Sequence, residues 1–204
     1  MTPGTPSTRR LAHRPRRRVG ALVLAPGASA GRDQPALVAI DDALTPAGVV
    51  VERMDFPYRL AGRRVPDKAP VLVASVVDAA RRLAKDHGVA PARVALGGRS
   101  MGGRMCSMAV AEGLHAAALV LVSYPLHPPG KPERRRVEHF GAIAVPCLFV
   151  SGTRDAFGTP EELEEATRAI TGPVTHVWTE GGDHGLRGRD AQVAGVVAEW
   201  LLGL

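Results

Sequence analysis

A chain of 204 residues, 45% hydrophobic, 23% charged and 4% aromatic, is long enough for one buried core and too ordinary for a fibrous or low-complexity protein. Its net charge of +6 points first to nucleic acid, but the distribution argues against a basic binding face. Six arginines (Arg9, Arg10, Arg14, Arg16, Arg17 and Arg18) and no acid fall in residues 1–18, which leaves 20 basic and 20 acidic residues for the rest.

The Pro/Thr/Arg-rich segment 1–18 has the composition of a disordered tail, read first as a solvated extension without function or translated leader before a misplaced start, and second as a contact for RNA or an acidic membrane. It has no apolar h-region, so it does not read as a secretory signal. No later run reaches the ~18 apolar residues of a membrane span. One domain is expected over residues 19–204.

From there six short, β-branched apolar runs follow in order: "VGALVLA" (19–25), "VVVERM" (49–54), "RVALG" (93–97), "AALVLVS" (117–123), "CLFVS" (147–151) and "VTHVWT" (174–179). Runs without polar alternation predict strands covered on both faces. Helical spacing separates most of them. Leu37, Ile40 and Leu44 fall at i, i+3, i+7, and Leu72, Val76, Ala79 and Leu83 at i, i+4, i+7, i+11. "TPEELEEATRAI" opens with Thr159 as N-cap, Pro160 at the first helical position and Glu162 at the capping-box position. Val193, Val196, Val197, Trp200 and Leu201 share a face of the last helix. Strand and helix in alternation predict an α/β fold: a doubly wound, mostly parallel sheet of about six strands with helices on both faces. The long irregular stretch is "YPLHPPGKPERRRVEHF" (124–140), read as a loop with a short helix near its end. Cys106 and Cys147 fall in a predicted helix and a predicted strand, which suits buried free thiols in a reducing cytoplasm. No Cys/His cluster has ligand spacing, so neither a metal nor an organic cofactor is expected.

The chemistry concentrates at "LGGRSMGGRM", residues 96–105. Ser100 stands where the third run ends and a helix begins, with Gly98 and Gly102 two residues away on either side. In a doubly wound sheet this is the rim where ligands bind. The pattern G-x-S-x-G is that of a nucleophile elbow, a tight turn that lifts a hydroxyl clear of the sheet. A glycine-rich packing turn is the alternative. A serine nucleophile needs a base, and the base an orienting acid. Asp155 follows the fifth run and His184 the sixth, in the order Ser, acid, His, on the same rim as Ser100. Other candidates fit less well. His176 falls mid-strand, His87 and His115 flank helix ends, and His13 lies in the tail. Asp183 adjoins His184, and side chains of neighbours diverge. For the oxyanion, one donor is the Met101 N–H; the other comes from Gly27, Ala28 or Ser29, with Ala28 favoured.

The chain resembles the α/β-hydrolase superfamily in its small, lidless, dienelactone-hydrolase-like branch. More narrowly, "PGASAGRD", "MDFPYR", "GGRSMGGRM", "SYPLHPPGKPE", "SGTRDAFG" and "GGDHGL" are similar to the hydrolase domain of the testis-expressed protein 30 group. The resemblance spans about residues 19–204 and implies a Ser100–Asp155–His184 triad. Pro26 stands where many relatives carry His, and dienelactone hydrolases proper use cysteine where this chain has Ser100, so their substrate is not carried over. His127, in the segment after the fourth strand, is read as a loop anchor that lies within reach of the pocket. The expectation is a cytoplasmic serine hydrolase of a small carboxylic ester or thioester, without cofactor. A non-catalytic module that keeps the fold as a docking surface is the rival.

Overall fold

The four inner apolar runs become strands covered on both faces because their alternate side chains belong to different helix layers, while the two edge runs stay half-buried. The computed structural model describes residues 19–204; the basic segment 1–18 lies outside the described residues. Strands β1 (Ala21–Ala25), β2 (Val50–Arg53), β3 (Val94–Arg99), β4 (Leu119–Val122), β5 (Cys147–Gly152) and β6 (Val174–Thr179) form one sheet in the order β2-β1-β3-β4-β5-β6. All five pairings are parallel. The helices are α1 (Pro35–Leu44), α2 (Pro57–Leu60), α3 (Ala69–Asp86), α4 (Met101–Ala111), α5 (Pro160–Thr167) and α6 (Asp190–Leu202).

The pleat sorts the core in two. On one face Ala21, Val23, Leu119, Leu121 and Phe149 meet Leu72, Val76 and Leu83 of α3, Met105 and Ala109 of α4 and Leu163 of α5. On the other, Leu22, Leu24, Val120, Leu148 and Val150 meet Leu37, Ile40 and Leu44 of α1 and Val193, Val197 and Leu201 of α6. The edge strand β2 is half-buried along its whole length, as an edge requires. Helix α1 has no side-chain cap at Gln34. Its packing outweighs this: a cap contributes ~1 kcal/mol, whereas each fully buried Leu or Ile contributes about 1.5–3 kcal/mol. Helix α5 has the capping box foreseen for it, with Glu162 N–H donating to Thr159 Oγ1 at 3.3 Å and Thr159 N–H to Glu162 Oε2 at 2.9 Å.

One helix escaped the periodicity. The one-turn helix α2, opened by Pro57, is too short to show a period, yet it buries Tyr58. Segment 124–140 is a loop as expected, ending in a 3-10 turn at Phe140–Ala142. Rings pin it: Tyr124 lies 5.3 Å from Phe140 and 5.8 Å from Phe149 between centroids. Both cysteines are free and buried, and burial pushes each thiol up to about 12, so neither is a reactive thiolate. Among the described residues no helix is long and apolar enough to cross a membrane.

The strand order reverses between β1 and β3: β2 lies outside β1, and β4 to β6 run the other way from β3. The crevice beyond the carboxyl ends of β1 and β3 is therefore where a ligand fits. Ala25, which ends β1, sits in register with Gly98, two residues before Ser100.

Candidate active site

Ser100 links β3 to α4 with φ 52° and ψ −118°, one of three non-glycine residues with positive φ among those described. An L-residue holds such a conformation only where its surroundings over-determine it. Here the Ser100 N–H donates to Val122 O of β4 at 2.8 Å, and its carbonyl accepts from Arg104 N–H at 3.1 Å. The glycines are required by a close approach rather than by their own angles. A Cβ on Gly98 would meet the Ala25 carbonyl oxygen, and one on Gly102 would meet the carbonyls of Ala25 and Pro26.

Strand order brings the three expected residues together. Ser100 Oγ lies 2.8 Å from His184 Nε2. His184 Nδ1 lies 2.8 Å from Asp155 Oδ2 and 3.0 Å from Oδ1. The bond to a carboxylate fixes the proton on Nδ1 and leaves Nε2 as acceptor for the serine O–H. The Asp155 side chain is 2% exposed and that of His184 21%, so the acid is shielded while the imidazole still faces the cleft. The Phe157 N–H donates to Asp155 Oδ1 at 2.8 Å. The Phe157 ring stacks on His184 with centroids 4.0 Å apart. Asp183 is exposed and accepts instead from Leu186 N–H at 3.0 Å, closing its own turn.

The other histidines are occupied elsewhere. His176 stacks between Phe149 and Trp178 and bonds Thr167 Oγ1 at 2.9 Å. His127 is buried and anchors its loop, with Nδ1 donating to Pro128 O at 2.9 Å and Nε2 3.2 Å from Glu162 Oε2. His87 and His115 are exposed beside helix ends, and His13 lies outside the described residues. A second serine–histidine pair, Ser107 Oγ and His139 Nε2 at 2.8 Å, is of a different kind. The Ser107 hydroxyl donates to Arg104 O at 2.8 Å, so His139 is the donor between them, and Ser107 is fully buried.

Of the three residues offered as a second oxyanion donor, Gly27 has its N–H committed to Gln34 Oε1 at 3.0 Å. Ala28 and Ser29 are exposed at the cleft, and the loop is held from below by Tyr58, whose O–H donates to Ala28 O at 2.7 Å. Met101 is the first residue of α4, so its N–H has no intrahelical acceptor.

Sequence reasoning passed over several residues here. Arg99, to which the motif G-x-S-x-G assigns no role, donates through Nη2 to the His184 carbonyl at 2.6 Å across 85 positions. Burial holds its guanidinium below the ordinary value. A charged residue inside an otherwise apolar strand end was the available signal. Gln34, Tyr58 and Phe157 left none, because each acts across the loop junction.

The cleft over Ser100 has a volume of about 450 Å³, with Gly27, Ala28, Ser29, Met101 and Pro125 on its walls beside His184 and Phe157. A larger concavity of about 540 Å³ lies over Arg53 and Asp55. Arg53 there is ion-paired to Asp33 and Asp41, and Ser75 Oγ–H bonds its own helix at Leu72 O, so no nucleophile–base pair faces it.

Known proteins agree with this architecture. A family model described as an alpha/beta hydrolase domain matches residues 18–198. An alpha-beta serine hydrolase homologue from Coxiella burnetii is similar at TM-score 0.74 and 18% identity, covering 90% of this chain and 86% of that one. A dienelactone hydrolase from Anabaena variabilis is similar at TM-score 0.72 and 21% identity, covering 91% and 87%. An esterase domain from a Rhodothermus marinus protein is similar at TM-score 0.66 and 20% identity, covering 90% and 86%. Identities this low speak for the fold.

Proposed function

The chain belongs to the alpha/beta hydrolase domain family, and from that premise we propose that it is a serine hydrolase cleaving a small carboxylic ester or thioester through an acyl-enzyme. The observation that carries this reading is the aligned relay of Ser100 Oγ, His184 Nε2 and Nδ1, and Asp155, each step 2.8 Å long. The strained backbone at Ser100 supports it further. A docking module needs no hydroxyl held at a costly φ and aimed at an imidazole.

In this mechanism Ser100 Oγ attacks the substrate carbonyl as its proton passes to His184 Nε2. Asp155 holds the ring in the productive tautomer and stabilises the imidazolium. The oxyanion accepts from the Met101 N–H and from an N–H of the 28–29 turn, Ala28 foremost. The tetrahedral adduct collapses, and the leaving alkoxide or thiolate takes the proton from Nε2. Water then adds to the acyl-enzyme, giving its proton to Nε2. Collapse releases the acid and returns the proton to Ser100. No step calls for a metal or an organic cofactor.

A fluorophosphonate tests the nucleophile. We expect one label per chain, lost in Ser100→Ala, with kcat on an activated ester falling by roughly 10⁴–10⁶. Labelling that persists in Ser100→Ala, at Ser107 for instance, overturns the assignment.

A further inference from the structure

The cleft beside Ser100 is lined by three arginines, Arg99, Arg104 and Arg136, and by no aspartate or glutamate. Arg99 is engaged by the His184 carbonyl. The other two are not comparably satisfied. Arg104 Nε is buried and has no hydrogen-bond partner. Arg136 has one side-chain bond, from Nη1 to Pro125 O, at the long limit of 3.5 Å. Among the described residues neither makes an ion pair, whereas Arg53, Arg63, Arg82 and Arg135 each have a carboxylate partner. Each guanidinium carries five donors in a planar fork, and the protein itself offers acceptors to few of these.

The two cations also act on each other. Burial first, and the neighbouring Arg104 charge second, hold the Arg136 guanidinium below its ordinary value. The Arg104 charge reaches His139 as well, which burial and that cation together push down to about 4. Glu138 also acts on His139, but it is exposed and pairs with neither arginine. Two like charges side by side, partly out of water and without an acidic partner, are unfavourable. An anion between them satisfies both the charge and the donors.

We infer that the substrate carries, beside the scissile carbonyl, an anionic group of the carboxylate or phosphate class held by Arg104 and Arg136. This specificity rests on the serine-hydrolase reading of Ser100. A neutral ester leaves both forks unpaired and is the poorer substrate.

The test compares matched substrates on the intact chain. One arm sets 4-nitrophenyl hydrogen glutarate against 4-nitrophenyl pentanoate, with the uncatalysed rate subtracted. The other sets S-acetylpantetheine 4′-phosphate against S-acetylpantetheine. We expect kcat/KM to favour the anionic member of one pair about tenfold or more, the scale of a charge-assisted hydrogen bond; which pair responds distinguishes carboxylate from phosphate. Arg104→Met and Arg136→Met are expected to cut that ratio about tenfold through KM, and Arg104→Lys to retain part of it. A wild-type ratio at or below one in both arms overturns the inference without recourse to any variant. So does an equal fall on both members of a pair in the variants. Calorimetric titration of Ser100→Ala with glutarate and with inorganic phosphate separates the two readings. Saturable binding that Arg104→Met abolishes, in a protein that turns over no ester, supports the anion site and removes the hydrolase; turnover without discrimination does the reverse.

Discussion

Asp155 and Asp183 both stand close to His184, and their surroundings give them different work. Asp155 lies three residues beyond β5, is shielded from water and has both oxygens within 3.0 Å of the imidazole. Asp183 is spent on its own turn. Losing the orienting acid leaves the imidazole in the wrong tautomer, which costs about 10⁴ in kcat in a Ser-His-Asp triad. Asp155→Asn is therefore expected to cripple hydrolysis of an activated ester while melting close to the wild type, and Asp183→Asn to keep most activity. A dead Asp183→Asn beside an active Asp155→Asn would move the acid to position 183. Arg99 acts one step further out. By clamping the His184 carbonyl it is placed to position the imidazole. Arg99→Met is expected to lower kcat with little change in KM, and Arg99→Lys to restore part of it. A change confined to KM would instead place Arg99 on the substrate.

The elements that carry the site are secured by local devices. The capping box of α5 is worth about 1 kcal/mol. In a chain of this size that corresponds to about 2–4 °C. Thr159→Ala is expected to lower Tm by that amount, Thr159→Ser by much less, and an unchanged Tm would show the box to be idle. Segment 124–140 is held differently, by Tyr124, by the His127 anchor and by His139 against Ser107. His139 has its pKa pushed down to about 4 in the folded protein, first by burial and then by Arg104. An unfolded chain takes up this proton near pH 6.5. Between pH 6.5 and about 4 the unfolded state thus binds more protons, and stability falls as the pH falls. Thermal melts of the wild type are expected to lose Tm through this window, and His139→Gln to flatten that loss. Parallel curves would show that His139 is not the group responsible.

At the scale of the molecule, the sheet order assembles the site. Crossing from β2 to β3 over β1 places the 27–29 turn against the elbow, and the succession β4, β5, β6 delivers Asp155 and then His184 along the same rim. Residues 19–204 carry both core layers and balanced charge, and the family match begins at residue 18. We expect a chain starting at Val19 to fold and keep its kcat/KM on a neutral ester, and to lose retention on heparin with the six arginines. An insoluble or inactive product would make residues 1–18 part of the fold.

Strand positions, most of the helices and the trio Ser100, Asp155 and His184 were all legible in the linear chain. Burial of a parallel strand on both faces demands an unbroken apolar run, and an elbow between strand and helix demands small neighbours at fixed spacing. These are demands on adjacent residues, so they leave marks within a few positions. The uses of Arg99, Gln34, Tyr58, Phe157, Arg104 and Arg136 were not legible. Arg99 meets a carbonyl 85 positions away and Tyr58 one 30 positions away. Arg104 and Arg136, on α4 and in the loop after β4, share a cleft only because the sheet brings β3 beside β4. Spacing along the chain records what a residue needs from its neighbours. Which distant donor faces which acceptor depends on strand order and side-chain reach, and those exist only once the sheet has formed.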